Sequence, residues 1–89
     1  MFEWDEDKNE ANIKKHGISF RDCIPVFYDD LSLLYEDIRH GEQRWKVIGA
    51  GKLLIVMVVV YTYRNKIRII SARKATKQER KHYEQRSRR

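Results

Sequence analysis

The apolar positions of this chain are densest in its second half. Leu53 to Tyr63 is rich in β-branched side chains (Ile55, Val56, Val58, Val59, Val60, Thr62). That run predicts a central strand covered on both faces. Before it, Arg44 to Gly49 alternates, with Trp45, Val47 and Gly49 on one side and Arg44, Lys46 and Ile48 on the other. Ala50-Gly51-Lys52 reads as the hairpin turn between these two strands. Arg64-Asn65-Lys66 reads as the next turn, leading into a strand from Ile67 to Arg73. A short strand over Leu31 to Glu36 precedes the group.

Helical signals flank the strands. Asp5-Glu6-Asp7 opens a short first helix that ends in Lys14-Lys15, with Gly17 as its stop. Ser19 is the N-cap expected for a second helix whose apolar face is Cys23, Ile24 and Phe27. Pro25 removes the hydrogen bond to the Arg21 carbonyl, so this helix is expected to be short or kinked, ending at Asp29-Asp30. Thr76-Lys77-Gln78-Glu79 is a capping box that starts a third helix running to about Gln85. Beyond it, Ser87-Arg88-Arg89 is expected to fray. The expected fold is α+β: two N-terminal helices, a four-stranded, mainly antiparallel sheet, and a C-terminal basic helix.

Charge changes this picture from a fold to a function class. Residues 64–89 carry eleven Lys or Arg against two acids, while residues 1–63 carry eight against eleven. A cation cluster on one face attracts polyanions by releasing counterions from phosphate. A solvated basic tail is the bland alternative. The interleaved Ile67, Ile69, Ile70, Ala72, Ala75 and Tyr83 argue for order instead. Eighty-nine residues make one domain, 1–89, which buries only ~60–65% of its unfolded surface. The single cysteine, Cys23, excludes an intrachain disulfide framework and fits a reducing cytoplasm. No secretory signal is expected after Met1, and the longest apolar run falls short of the about 20 residues that a bilayer needs. His16, His40 and His82 lack ligand spacing, so neither metal nor other cofactor is expected.

Particular residues carry a family likeness. They are Phe2-Glu3-Trp4-Asp5, Asn12, Lys15-His16-Gly17, Ser19-Phe20, Val26-Phe27, Asp29-Asp30, Arg44-Trp45, Val47-Ile48-Gly49, Val60-Tyr61-Thr62 and Arg68 to Thr76, with Glu79 and Tyr83. Together they resemble the BrnT family of type II toxin–antitoxin toxins, over nearly the whole chain and in order. The sequence departs from the family pattern at Pro25 and at Leu31, where a proline commonly follows the paired aspartates. The resemblance implies a small bacterial ribonuclease toxin with a RelE-like fold. It also implies a BrnA-type antitoxin as partner, a 2:2 complex built on a toxin dimer, and repression of the promoter DNA by that complex. Membrane association is not expected. The short Leu31–Glu36 strand, as a sheet edge, is a candidate for pairing with a second copy or with the antitoxin.

RNA cleavage without metal uses the substrate's own 2′-hydroxyl as nucleophile. The protein must take that proton, stabilise a phosphorane, and protonate the departing 5′-oxygen. Arg73 and Lys74, where the fourth strand meets the third helix, are candidates for the phosphorane clamp; their alternative is a basic edge that holds an acidic antitoxin. His16 is the candidate general base or acid, with Lys15 beside it for phosphate; its alternative is a partner for the helix dipole. Arg44 is a phosphate ligand or an ion-pair partner of Glu42. Arg68, Arg64, Lys77 and Arg80 are candidate nucleic-acid contacts. By alternation Arg68 faces away from Arg73 and shares a site with it only if a bulge intervenes. Glu79 is expected to serve the capping box rather than catalysis. Tyr83 packs on the sheet or stacks on a base. Trp4 and Trp45 are expected in the core. His82 is a weaker candidate, and His40 is discounted because its loop is acidic. An endoribonuclease is the preferred reading. The alternatives are a non-catalytic RNA- or DNA-binding module and a domain that binds only protein.

Overall fold

The computed structural model describes residues 1–39 and 41–87. Five strands form one sheet: β1 (Phe2–Glu3), β2 (Leu33–Arg39), β3 (Glu42–Ala50), β4 (Val56–Arg64) and β5 (Lys66–Lys74). Their spatial order is β1-β5-β4-β3-β2, with β1 parallel to β5 and every other neighbour antiparallel. Helix α1 (Glu6–His16) and a 3-10 helix (Phe20–Tyr28) precede β2, and α2 (Lys77–Ser87) follows β5.

The expected four-stranded sheet is therefore corrected to a five-stranded mixed one. Phe2 and Glu3 add alongside Ile67 and Arg68, and the Ile67 N–H donates to the Met1 carbonyl at 3.0 Å. Two residues are too few to show alternation, so no pattern announces this strand. The second helix is also corrected. It is wound as a 3-10 helix throughout, with Asp22 N–H on the Ser19 carbonyl at 3.1 Å and Asp29 N–H on Val26 at 3.2 Å. Pro25 has no N–H to give Arg21, which removes the α-helical ladder from its middle. The α+β class itself stands.

Boundaries move for identifiable reasons. Leu53 and Leu54 leave the β4 strand because both take left-handed backbone, at φ 58° and 61°. The β2 strand runs on to Arg39 and β3 begins at Glu42, so most of the expected acidic loop is hairpin ladder. His40 lies outside the described residues, as do Arg88 and Arg89. The β4 strand is central as expected, and its Met57, Val58 and Val59 are all buried.

One face of the sheet carries the core. Phe20, Cys23 and Val26 of the 3-10 helix pack on Val47, Met57, Val59, Ile69 and Ala72, with Ile18 beside them. Fully burying each large side chain contributes roughly 1.5–3 kcal/mol. Phe27 meets Tyr61 edge-on at 5.0 Å, and Trp4 meets Phe20 at 6.1 Å. Trp45 is only half-buried. Burial, reinforced by Asp22, pushes the Cys23 thiol up to about 12, so it stays protonated and unreactive. Among the described residues no helix is long and apolar enough to cross a membrane.

Candidate active site

The opposite face of the sheet is where the basic residues collect, and a bulge decides which ones. On β4, Val58, Val60 and Thr62 share a face, since alternate residues do. Their partners on β5 are Arg73, Ser71 and Arg68. Tyr61 pairs with Ile69 while its neighbour Val60 pairs with Ser71, so Ile70 is the extra, unpaired residue. That insertion shifts the alternation by one and brings Arg68 and Arg73 to the same side.

Helix α1 delivers two more groups. Asp5 caps its start, accepting from the N–H groups of Asp7 and Lys8. Gly17 closes its end at φ 71°, donating to the Ile13 carbonyl at 2.7 Å. Asn12 docks the helix on the edge of β5. Its side-chain amide donates to the Ala72 carbonyl at 2.8 Å and accepts from the Ala72 N–H at 3.1 Å, as a neighbouring strand would. A third bond, to the Ile18 carbonyl at 2.9 Å, completes it. Docked this way, α1 carries Lys15 and His16 to the rim of the sheet face.

The result is a cleft of about 400 Å³. Val58 and Val60 floor it; Lys15 and His16 approach from α1, Arg44 and Lys46 from β3, Ser71 and Arg73 from β5, and Asp37 from β2. Asp37 stands directly across the ladder from Arg44. Arg44 also reaches Glu42 at 3.2 Å, and its Nε is buried without a hydrogen bond among the described residues. A buried donor of this kind has lost its water and is favourable only when an acceptor arrives.

Arg73 is held in place from the helix side. Its two terminal nitrogens meet both Glu79 oxygens, at 2.7 and 2.9 Å, and Nη1 also reaches the Lys74 carbonyl at 3.3 Å. Glu79 simultaneously accepts from the Thr76 N–H at 2.8 Å, and Thr76 Oγ1 accepts from the Glu79 N–H at 3.2 Å. The capping box and the arginine clamp are thus one structure. The bond from Arg73 holds the Glu79 carboxyl far down, at about 2, and the same bond raises Arg73. Of the five guanidinium donors, these contacts use three, the remaining two being Nε–H and one N–H of Nη2.

The remaining candidates lie elsewhere. Arg68 shares the face but pairs with Glu3 at 3.6 Å, outside the cleft. Lys74 pairs with Met57 on the core side of the strand and lines a separate groove with Leu54 and Ile55. Arg64 borders a third hollow beside Trp45 and Tyr63, and Lys77 and Arg80 lie on the surface of α2. The half-buried Tyr83 donates its hydroxyl to Asp29 at 2.6 Å, which ties α2 to the loop before β2. Burial and that bond raise the Tyr83 hydroxyl to about 12. Burial disfavours the Asp29 charge, but bonds from Tyr83, Ala50 and Leu31 outweigh it and lower the carboxyl below its usual value. Among the described residues no cluster of His, Cys, Asp or Glu could hold a metal ion.

Sequence reasoning missed Lys46, Ser71 and Asp37. Lys46 was detectable, since it alternates with Arg44 on one strand. Ser71 was hidden by the bulge, and Asp37 by a β2 strand read as ending at Glu36.

This arrangement sits within a recognised pattern. The family described as "Ribonuclease toxin, BrnT, of type II toxin-antitoxin system" matches residues 4–79, which include every residue lining the cleft. The chain belongs to the BrnT family. Its fold is also that of a solved BrnT, the Brucella abortus ribonuclease toxin, with a TM-score of 0.70 and 28% identity over 86% of this chain and 99% of that one. No curated protein matches it. Membership of a BrnT toxin–antitoxin family implies an antitoxin as partner and RNA as substrate.

Proposed function

We propose that this chain is an endoribonuclease toxin that cuts RNA by internal attack of a 2′-hydroxyl, without a metal ion. The cleft supports this reading, because it gathers a histidine, a lysine pair and two arginines on one sheet face. His16 takes the 2′-hydroxyl proton or returns one to the departing 5′-oxygen. Arg73, oriented by Glu79, offers its remaining N–H groups to the phosphorane, and Arg44 Nε offers another. Lys15 and Lys46 hold flanking phosphates. The P–O5′ bond breaks as the O2′–P bond forms, leaving a 2′,3′-cyclic phosphate and a 5′-hydroxyl. A BrnA-type antitoxin neutralises the toxin in a 2:2 complex that represses its own promoter, in the cytoplasm.

One observation favours a competing reading, in which the cleft binds RNA without cutting it: Arg73 already has a full carboxylate partner. Incubating purified protein with RNA in excess EDTA separates the two. Fragments ending in cyclic phosphate are expected, and a 2′-deoxy nucleotide at the cut should block the reaction. His16→Gln should slow it about 100-fold. Intact RNA, with bound protein detected, would sink the catalytic reading in favour of the binding one.

A further inference from the structure

The loop between β3 and β4 is tightly built yet displays bare leucines. Leu53 and Leu54 are 81% and 82% exposed, and Ile55 follows at 36%. Both leucines take left-handed backbone, a conformation that glycine or asparagine adopts with far less strain. The loop has no slack to relax this. Gly51 donates to the Ile55 carbonyl at 2.8 Å, and Leu54 donates to Gly51 at 3.0 Å. A Cβ on Gly51 would lie 2.8 Å from the Asp22 carbonyl oxygen, so the loop is seated on the 3-10 helix. Lys52 reaches Asp22 at 3.9 Å from the same side. Strained, exposed apolar side chains on a fixed support mark a surface built for contact.

A groove of about 360 Å³ runs between this loop and α2. Leu54, Ile55, Val56 and Ala75 form its apolar side, and Lys74 and Arg80 bring cations to it, beside Glu84. On α2, Lys77 and Lys81 extend the basic field next to Arg80. RNA would use the cations but gains little from bare leucines. A protein segment carrying both acidic and apolar side chains uses both.

We infer that the Leu53–Leu54 loop and the adjoining face of α2 dock an acidic, amphipathic segment of the antitoxin, on a surface separate from the cleft. This rests on the antitoxin partnership of the proposed function and not on catalysis. It gives Lys74 and Arg80 a role in holding the partner, and gives the strained leucines a purpose.

The test uses the full-length cognate antitoxin, titrated against the purified toxin. Leu53→Asn with Leu54→Asn suits the left-handed backbone and removes the apolar contact, so the fold should survive. Antitoxin affinity should fall about 30-fold while RNA cleavage stays unchanged. Arg80→Glu, tested separately, should also weaken binding and make that binding less dependent on salt. Unchanged antitoxin affinity in both variants would overturn the inference. So would lost RNA cleavage with antitoxin binding kept, which would assign the groove to RNA. If the wild-type toxin cuts no RNA, the catalytic reading fails, and the titration still decides the docking surface.

Discussion

Glu79 does three jobs with one carboxylate: it closes the capping box, starts α2 and aims Arg73. Its capping role was legible from Thr76-Lys77-Gln78-Glu79 alone. Its hold on Arg73 was not, because the six-residue separation spans a strand end and a helix start whose angle no local pattern specifies. The charge has a definite pH consequence. Glu79 is lowered from 4.5 to about 2 in the folded protein, so its contribution to stability is fully present above 4.5. It is lost as pH falls from there towards 2. Glu79→Gln keeps the capping box but not the charge. The variant should melt below the wild type at pH 6, and the gap should close as the pH falls through that window. A gap that stays constant would show that the pair adds no charge-dependent stability.

At the scale of elements, the bulge at Ile70 and the docking of α1 build the cleft. Alternation along β5 separates Arg68 from Arg73; the single inserted residue reunites them. The bulge leaves no mark in the apolar pattern, since Ile69 and Ile70 are both isoleucine. Asn12 is the joint between α1 and the sheet, and it is buried, 7% exposed. Asn12→Ala removes three hydrogen bonds and strands buried groups of Ala72 and Ile18, so it should destabilise by about 3 kcal/mol. Denaturant unfolding measures this. An activity loss larger than the unfolded fraction explains would show that α1 also has to hold His16 in register. A stability loss below about 1 kcal/mol would show that water replaces the amide.

For the whole molecule, charge is divided by the sheet's own geometry. Arg73, from the basic C-terminal strand, meets Lys15, Arg44 and Lys46 from the more acidic N-terminal portion across one face. RNA affinity should therefore fall with salt, and Lys15→Gln should reduce the slope of log affinity against log salt by about 0.7, the release from one phosphate contact. An unaltered slope would remove Lys15 from the RNA path. The sequence by itself determined the α+β class, the central β4 strand, the start and stop of α1, the start of α2 and the basic field. These depend on local periodicity, capping chemistry and composition, which need no distant partner. Only the tertiary structure decided the parallel β1 strand and the shared face of Arg68 and Arg73. Each depends on how residues far apart in the chain pair across the sheet, and one unpaired residue is enough to turn every side chain beyond it to the other face.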